Sequence, residues 1–422
     1  MVLLFDDLAE ASELVASTSK RNAKVAALAA VLRRAEPPEA GPAVAFLTGS
    51  MPGGRIGVGW ATLANARVAA ADVATLTVTE VADTLATVAQ TTGSGSVRDR
   101  GQLLSSLLGR ATAREHRLLA GIIGGELRQG ALDGVMTSAV AAAADVPVAS
   151  IRRASMMTGD LLAAATLALA GGRAALDAVD LEPSRPVLPM LASPSTDVAA
   201  ALAATGLASV EWKLDGARLQ AHRAGGEVRL FTRNLNDVTD RLPLIVQTVA
   251  RLPGGDIVLD GEALGVLDDG SPRRFQDTMG DFGAEAIGGR GSGLRAFFFD
   301  VLHVDGSPVH DEPLSVRREM LQATVPADDR LPSIVTSDAI EAEAFLQRSI
   351  AAGHEGVMVK GLDRPYEAGR RGSSWRKVKP VHTLDLVVLA VEWGHGRRAG
   401  WLSNLHLGAR SSDPADAASF VM

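Results

Sequence analysis

The sequence concentrates its most reactive side chains in segment 211–218, where Lys213, Asp215 and Arg218 stand at alternating or nearly alternating positions. The segment reads as a strand that runs into a glycine turn, so Lys213 and Asp215 should project to the same face. A lysine is a nucleophile only as the neutral amine, and arginine could not replace it because its guanidinium stays protonated. A lone K-x-D-G-x-R pattern is common by chance, so the other segments must decide.

Four later segments carry the same mixture of strand residues and charges. Segment 258–262 puts a carboxylate at the end of a buried strand, and 297–300 places aromatic residues before an aspartate. Segment 355–360 has an acid and a lysine at opposite ends, and 375–379 has two lysines on one strand face. Buried strands rarely carry unpaired charge, because desolvating it is costly. Separate ion pairs explain all of these segments poorly, and a shared polar cleft explains them well.

The elements that must position these residues change type near the proline-rich segment 182–189, which reads as a domain linker. After it, short β-rich runs alternate with the amphipathic helical stretches 315–321 and 339–351. This pattern predicts an α+β domain built on antiparallel sheet. The predicted strands are 210–214, 227–232, 257–259, 296–301, 356–360, 375–378 and 384–391.

The first 180 residues or so predict helices throughout. Thr77 with Glu80, and Thr112 with Glu115, have the spacing of capping boxes and precede apolar residues at helical intervals. Glycine-rich loops lie between the helices, at 53–55, 93–96 and 124–128. They are either ordinary connections or, through exposed N–H groups beside arginines, phosphate contacts.

Composition limits the class of protein. A chain of 422 residues is too long for one core, and 47% hydrophobic with 22% charged residues is typical of a globular protein. No apolar run approaches the roughly 18 residues of a membrane helix, and the N-terminus has no basic signal region. The absence of cysteine excludes disulfides and thiolate chemistry and favours the cytosol. A net charge of −7 leaves polyanion binding to local basic clusters.

The order and internal pattern of the five segments resemble the nucleotidyltransferase motifs of ATP-dependent DNA ligases. The helical first half resembles the DNA-binding domain of the same family. The resemblance implies a multidomain protein: an all-α DNA-binding domain over 1–182, an α+β, ATP-grasp-like adenylation domain over 189–381, and the start of an OB-fold β-barrel over 383–422. It also implies a monomeric cytoplasmic enzyme, associated with the nucleoid, that seals nicked duplex DNA in replication, repair and recombination.

The same resemblance assigns roles by motif position. Lys213 would take AMP from ATP as a phosphoramidate, Glu211 would read the adenine amino group, and Phe299 and Met358 would sandwich the base. Arg371 would support the strand that carries Lys377 and Lys379. The other predicted nucleotide-site residues would contact the ribose, the nick phosphate or the triphosphate: Arg218, Arg233, Glu262, Lys360, Lys377 and Lys379.

The resemblance further implies a divalent cation and two DNA-contacting loops. Asp215, Glu262 and Glu355 would serve Mg²⁺, with Mn²⁺ as the alternative, since hard cations prefer carboxylate oxygens. The predicted DNA contacts lie in the glycine–serine loop and in a later glycine-flanked turn: Gly93, Ser94, Gly95, Ser96, Arg98, Arg397 and Arg398.

Two alternatives share the lysine motif. An RNA ligase or a guanylyl-transferring capping enzyme is one, although the helical first half argues against both. The other is a nick-binding protein with impaired adenylation. It follows from a departure from the family: residues 383–422 suffice for two or three strands, and they hold no candidate for the basic motif that ends the barrel. We therefore expect a C-terminally shortened ligase that binds nucleotide but self-adenylates slowly.

Overall fold

The computed structural model describes residues 2–51, 68–125, 127, 133–267, 271–273, 294–367, 371–380, 385–395, 398–410 and 420–421. The chain divides into two compact units, Met1–Val378 and Lys379–Met422. The first unit contains the helical region and an α/β region, and the second contains a small sheet. The predicted loop at 53–55 and the predicted DNA contact Arg397 lie outside the described residues, as do Glu126 and Arg128.

Nine helices make up the described part of the N-terminal region, and they share one apolar core. Within that core the rings of Phe5 and Phe46 meet edge to face, with 5.3 Å between their centroids. The helices are α1 (Phe5–Ala16), α2 (Arg21–Leu32), α3 (Pro37–Thr48), α4 (Val78–Gln90), α5 (Ser96–Arg110), α6 (Ala113–Ile123), α7 (Asp133–Ala144), α8 (Val148–Thr158) and α9 (Leu161–Asp177). The helical N-terminal region is confirmed.

Side-chain caps determine where two of these helices begin. The Thr77 hydroxyl accepts a hydrogen bond from the Glu80 amide at 3.1 Å before α4, and Thr112 accepts one from the Glu115 amide at 3.2 Å before α6. The backbone amide of each threonine in turn donates to the carboxylate of its glutamate, which completes the predicted capping boxes. The local sequence alone is therefore sufficient to set these helix starts.

Within the described ranges, we find no single helix that is both long and apolar enough to cross a membrane. Helices α7 and α8 pass that test only when taken as a pair, and the chain bends by 116° between them.

The first sheet of the α/β region has the strand order β1-β10-β9-β2-β8. Its strands are β1 (Leu191–Pro194), β2 (Ala208–Lys213), β8 (Ser333–Thr336), β9 (Gly356–Gly361) and β10 (Arg371–Val378). The predicted strands in this sheet pair in antiparallel fashion, and the one parallel pair joins β10 to β1, a strand that was not predicted. Helices α10 (Val198–Thr205) and α13 (Ala339–Ala351) cover the sheet through a shared apolar cluster.

The second sheet has the order β4-β3-β5-β6-β7 and is antiparallel throughout. Its strands are β3 (Ala217–Ala224), β4 (Glu227–Thr232), β5 (Ile257–Gly265), β6 (Leu294–Val304) and β7 (Ser307–Pro308). Helices α11 (Pro243–Ala250) and α12 (Leu314–Thr324) accompany it. Strand β5 is longer than predicted, so Glu262 lies inside the strand rather than at its end. A helical region followed by a mixed α/β region is the observed architecture.

A third apolar cluster joins the helical region to the α/β region. Met156 and Met157 of α8 lie in the same cluster as Phe299, Tyr366 and Trp375. Helix α8 is therefore part of the core that supports the two sheets.

The second unit contains a three-stranded antiparallel sheet of order β11-β12-β13. Its strands are β11 (Val387–Trp393), β12 (Leu402–Arg410) and β13 (Phe420–Val421). Every residue of β11 is exposed. The predicted strand at 384–391 is thus present, displaced toward the C-terminus.

Candidate active site

Lys213 is the last residue of β2, where that strand pairs with β9. The Glu355 amide donates to the Lys213 carbonyl at 3.0 Å, and the Lys213 ammonium forms an ion pair with the Glu355 carboxylate. The two side chains are 20% and 23% exposed, respectively. Because neither group is sealed in the core, a ligand can reach the amine.

A glycine turn carries the chain from Lys213 into the second sheet. A Cβ at Gly216 would collide with the carbonyl oxygen of Ala263 on β5, so the turn accommodates only glycine without displacement. The close approach places Arg218 directly opposite Glu262 in the β3–β5 register. Exposed Asp215 lies in the same turn, and its charge also acts on Glu262. The structure therefore brings Lys213, Asp215, Arg218 and Glu262 together.

A buried network holds Arg218. Its Nε and Nη2 donate to the Asp260 carboxylate at 2.8 and 2.6 Å, and its Nη1 donates to the Met190 carbonyl at 3.1 Å. The Tyr366 hydroxyl donates to Asp260 at 2.6 Å and accepts from the Met190 amide at 3.0 Å. Burial lowers the pKa of Arg218, but the Asp260 charge more than offsets it, so the pKa lies above its ordinary value. The guanidinium is a fixed positive charge in the site.

The Glu262 carboxyl, close to Arg218 and Lys213, has a pKa well above its ordinary value. Burial raises the pKa of its carboxyl from 4.5 to about 7, although the positive charges of Arg218 and Lys213 oppose that rise. A carboxyl whose charged form is this costly is suited to a cation that stabilises that form. The predicted role of Glu262 at a divalent cation stays a prediction.

The cation site is not preassembled. Across the part of the chain that the structure describes, no three acidic or histidine side chains lie close enough together to hold a metal ion. Asp215, Glu262 and Glu355 were predicted as such a set, so the structure does not bear out a ready-made cluster of three. Glu355 is instead engaged with Lys213.

The other end of the site holds a buried ion pair. The Lys360 Nζ lies 2.6 Å from the Glu211 carboxylate, and each of these residues is only 1% exposed. The same Nζ lies 4.1 Å from the ring centroids of both Phe299 and Trp375. Burial lowers the pKa of Lys360, against the opposing charge of Glu211. This placement differs from the predicted phosphate contact, because the amine is committed to Glu211 inside the core.

A cavity of about 270 Å³ opens beside Glu211. Phe299 lines it, and Met358 packs with Phe299 in the cluster between the sheets. The cavity's lining residues come from β2, β6, α12 and the segment before β8: Glu211, Phe298, Phe299, Arg318, Leu321, Gln322, Ala327, Arg330, Leu331, Pro332 and Ser333. A half-open cleft with an aromatic wall suits a planar ring.

The remaining predicted residues are more scattered. Lys377 lies on β10 opposite Met358 and is half-buried, whereas Arg233 is exposed in the turn after β4. Arg371 begins β10, and its side chain lies outside the described residues. Lys379 is exposed and belongs to the second unit, as does Arg398, which donates to Ser403 at 3.1 Å.

The glycine–serine loop is exposed and precedes α5. Gly93 and Gly95 both have φ +89°, a left-handed conformation that favours glycine. Ser94 and Arg98 are exposed, and Ser96 begins the helix. Loop N–H groups at a helix N-terminus are suited to phosphate oxygens, and the DNA contact stays a prediction.

Four residues that the sequence did not single out are central to the site. Asp260 and Tyr366 hold Arg218, and Ser209 and Arg318 contact Glu211. Asp260 stands two positions before Glu262, a spacing that could have revealed it. Tyr366 is the only tyrosine of the chain, a weaker signal. Ser209 and Arg318 meet only through the fold.

The helical region, the two facing sheets and the lysine at a strand end define a nucleotidyltransferase of the type that carries an added helical domain. Residues 189–379 match the model of the ATP dependent DNA ligase domain, and residues 61–141 match that of the DNA ligase N terminus. The chain belongs to the ATP-dependent DNA ligase family, as its motifs predict.

Individual relatives agree with that assignment. The chain is 51% identical to a probable DNA ligase of Rhodococcus opacus over 97% of its own length and 81% of the relative. It is 50% identical to a probable DNA ligase of Saccharopolyspora erythraea, over 98% and 80% respectively. A solved structure titled "Pmar-Lig_Pre." shares the fold with a TM-score of 0.60 at 18% identity, over 96% of this chain and 85% of that one.

Proposed function

We propose that this protein joins nicks in duplex DNA with ATP, through a lysyl-AMP intermediate on Lys213. The observation that carries the proposal is the position of Lys213: a partly exposed amine at a strand end, paired with Glu355 and close to Glu262. The fixed charge of Arg218 lies in the same place. A reachable amine with two carboxylates and a guanidinium around it has the groups that nucleotidyl transfer requires.

The cavity beside Glu211 is the proposed site of the adenine. Phe299 and Met358 supply the aromatic ring and the polarizable thioether that would face the base. Glu211 forms an ion pair with Lys360, and its carboxylate oxygens can accept a hydrogen bond from the 6-amino group. This arrangement favours ATP over a nucleotide whose base has an oxygen at that position.

Three displacements at phosphorus follow from this arrangement. The neutral Lys213 amine attacks the α-phosphorus of ATP, the N–P bond forms, and pyrophosphate leaves. The 5′-phosphate of the nick then attacks the same phosphorus and releases the lysine. The 3′-hydroxyl finally attacks the 5′-phosphorus and expels AMP. Positioning and charge stabilisation account for most of the catalysis in such steps.

Asp215, Glu262 and Glu355 are the side chains that would hold Mg²⁺ or Mn²⁺. A divalent cation would neutralise phosphate charge there. Arg218 supplies a fixed positive charge and Lys377 a mobile one. The other proposed phosphate contacts are Arg233, Arg371 and Lys379.

The DNA contacts extend beyond the nucleotide site. The loop Gly93–Ser94–Gly95–Ser96 with Arg98 is proposed to bind backbone phosphates, as is the turn with Arg397 and Arg398. We assign 1–182 to DNA binding, 189–381 to adenylation and 383–422, with its three-stranded sheet, to part of an OB-fold. We propose that the protein acts as a monomer, on nucleoid DNA in the cytoplasm.

A sealing assay tests the proposal. Nicked duplex DNA and nicked duplex RNA are each incubated with the protein, Mg²⁺ and either ATP or GTP, with EDTA as the control. We expect DNA to be sealed with ATP as the nucleotide, because the Glu211 carboxylate in the cavity can accept a hydrogen bond from the adenine amino group. Sealing of RNA alone, or with GTP alone, would favour the RNA-ligase or capping-enzyme alternative, which the comparisons do not favour.

A further inference from the structure

The Glu211 carboxylate is held by three groups at the end of the cavity. Lys360 contacts one oxygen at 2.6 Å, and the Ser209 hydroxyl donates to the other at 2.8 Å. The Arg318 guanidinium lies 3.6 Å from that second oxygen. A buried carboxylate with two cations and a hydroxyl around it is held in one orientation.

Arg318 also determines the direction in which the Ser209 hydroxyl donates its proton. Its Nη1 donates to the Ser209 oxygen at 2.6 Å, and Nη1 and Nη2 each lie 3.2 Å from the Ser333 hydroxyl. A serine hydroxyl has a single proton, and it rotates to suit its partners. Since Arg318 occupies a lone pair of the Ser209 oxygen, the serine proton is left to point at Glu211. Arg318, Ser209 and Glu211 therefore form a directed relay.

We propose that Arg318 is a positioning residue that acts through Ser209 to fix Glu211 as a hydrogen-bond acceptor, and so makes the base site selective for a 6-amino purine. This inference rests on the proposed function, because it assumes that the base of ATP occupies the cavity. A fixed carboxylate attracts the 6-amino group of adenine and repels the 6-oxygen of guanine. A carboxylate that can turn away from the base no longer distinguishes the two.

Arg318 could also be merely structural, because it links α12 to β2 and β8. The two roles predict different kinetics. A link between elements contributes to stability and affects all nucleotides alike. A positioning role affects the affinity for ATP and the preference for ATP over GTP, while the chemical step changes little.

The test measures initial rates of self-adenylation against nucleotide concentration, with ATP and with GTP, at saturating Mg²⁺. Arg318→Met keeps the length of the side chain and removes the charge. It should raise KM for ATP about tenfold, lower the ATP-to-GTP preference about tenfold, and leave kcat within about threefold. Ser209→Ala should act in the same direction and less strongly. The double variant should be no worse than Arg318→Met, because both residues belong to one relay.

Two further variants complete the design. Arg318→Lys keeps the charge and should restore most of the ATP preference. Glu319→Gln, at an exposed neighbouring position on α12, should match the wild type. Ser209→Ala removes one buried oxygen atom, so it decides the matter even where Arg318→Met fails to fold.

The opposing outcomes are distinct. If Arg318→Met and Ser209→Ala lower Tm or kcat but leave KM and the ATP-to-GTP preference unchanged, Arg318 is only a structural link. If the wild type itself forms no AMP adduct, the proposed function fails and this inference fails with it. A normal wild-type adduct with unchanged variants overturns the inference alone.

Discussion

Lys213 combines two properties that usually exclude each other in a protein: a fixed position and access to solvent. The position comes from the last backbone pairing of β2 with β9 and from the Glu355 ion pair. The access comes from the strand end, beyond which the chain turns into the second sheet. A lysine in mid-strand would be buried like Lys360, and one on a surface helix would lose its orientation.

The first prediction concerns this amine. Lys213→Ala should abolish the AMP adduct formed with ATP and Mg²⁺, because Lys213 is the one protein group that bonds to the α-phosphorus in the proposed mechanism. Nick binding should be largely kept, since the proposed DNA contacts lie elsewhere. Intact-mass spectrometry after incubation with ATP measures the adduct, and a gel shift with nicked duplex measures binding. An undiminished adduct would refute the assignment of Lys213.

The second prediction concerns the pH dependence of stability at Glu262. The pKa of its carboxyl is about 7 in the folded protein, against 4.5 ordinarily. Between these values the unfolded chain loses the proton while the folded protein retains it, so Glu262 makes the protein less stable as pH rises from 4.5 to 7. Glu262→Gln lacks this loss. Its free energy of unfolding should rise by about 3 kcal/mol relative to that of the wild type between pH 4.5 and 8.

Denaturant melts at both pH values, in EDTA to exclude metal, measure that difference. Glu319→Gln serves as the control, because its carboxyl is exposed on α12. Parallel pH profiles for the wild type and Glu262→Gln would show that the Glu262 carboxyl titrates normally.

The contacts of a site residue could be predicted only where its own sequence segment determines its neighbours. Lys213 and Arg218 lie together because segment 211–218 contains a strand end followed by a tight turn, and Glu262 joins them through the pairing of β3 with β5. The environment of Lys360 was not predictable, because it depends on pairing between strands far apart in sequence. In the β2–β9 register Lys360 lies opposite Ser209, and this brings its amine to Glu211.

At the scale of elements, the turn between β2 and β3 is the most constrained connection. Gly216→Ala should destabilise the protein by about 2 kcal/mol or more, because the added methyl meets the backbone carbonyl of Ala263, which cannot move without disturbing β5. Gly101→Ala is the matched control. Gly101 lies inside α5 with nothing within 4 Å of its added Cβ, so alanine there should stabilise by about 0.5–1 kcal/mol.

Thermal melts of both variants check this prediction, and self-adenylation should fall in Gly216→Ala alone. Equal melting temperatures for the two variants would mean that the turn relaxes without cost. The type of most elements was readable from the sequence, whereas their length was not. Strand β5 continues to Gly265 because β6 pairs with it as far as Leu294, a partner that the sequence of β5 does not reveal.

At the scale of the whole molecule, the proline-rich segment 182–189 behaves differently from the free linker that its composition indicates. The Val187 amide donates to the Gln220 side chain at 3.1 Å, and the Gln220 side-chain amide donates back to the Val187 carbonyl at 2.5 Å. The Ser184 amide donates to His222 Nδ1 at 3.2 Å. Burial, reinforced by His303, lowers the pKa of His222 to about 3, so its ring is neutral and able to accept.

Further contacts lie beside this segment. Arg153 of α8 lies 3.2 Å from the Asp311 carboxylate, and Met157 is fully buried in the cluster shared with the α/β region. Composition predicts a flexible joint because proline-rich segments lack regular backbone hydrogen bonds. Here side chains of β3 supply those bonds, and which strand would face the segment is decided only by the tertiary fold.

The last prediction tests whether this docking is what holds the segment in place. Gln220→Ala removes both partners of Val187 and leaves two buried backbone groups unsatisfied, which is costly in free energy. Amides of residues 184–190 should then exchange with deuterium about tenfold faster or more, while the helices α1 to α6 exchange as in the wild type. Gln322→Ala, on α12 and away from the segment, provides the control. If Gln220→Ala leaves exchange at 184–190 unchanged, the Gln220 pair adds nothing, and the remaining contacts, among them the Ser184–His222 hydrogen bond and the packing of α8, hold the segment.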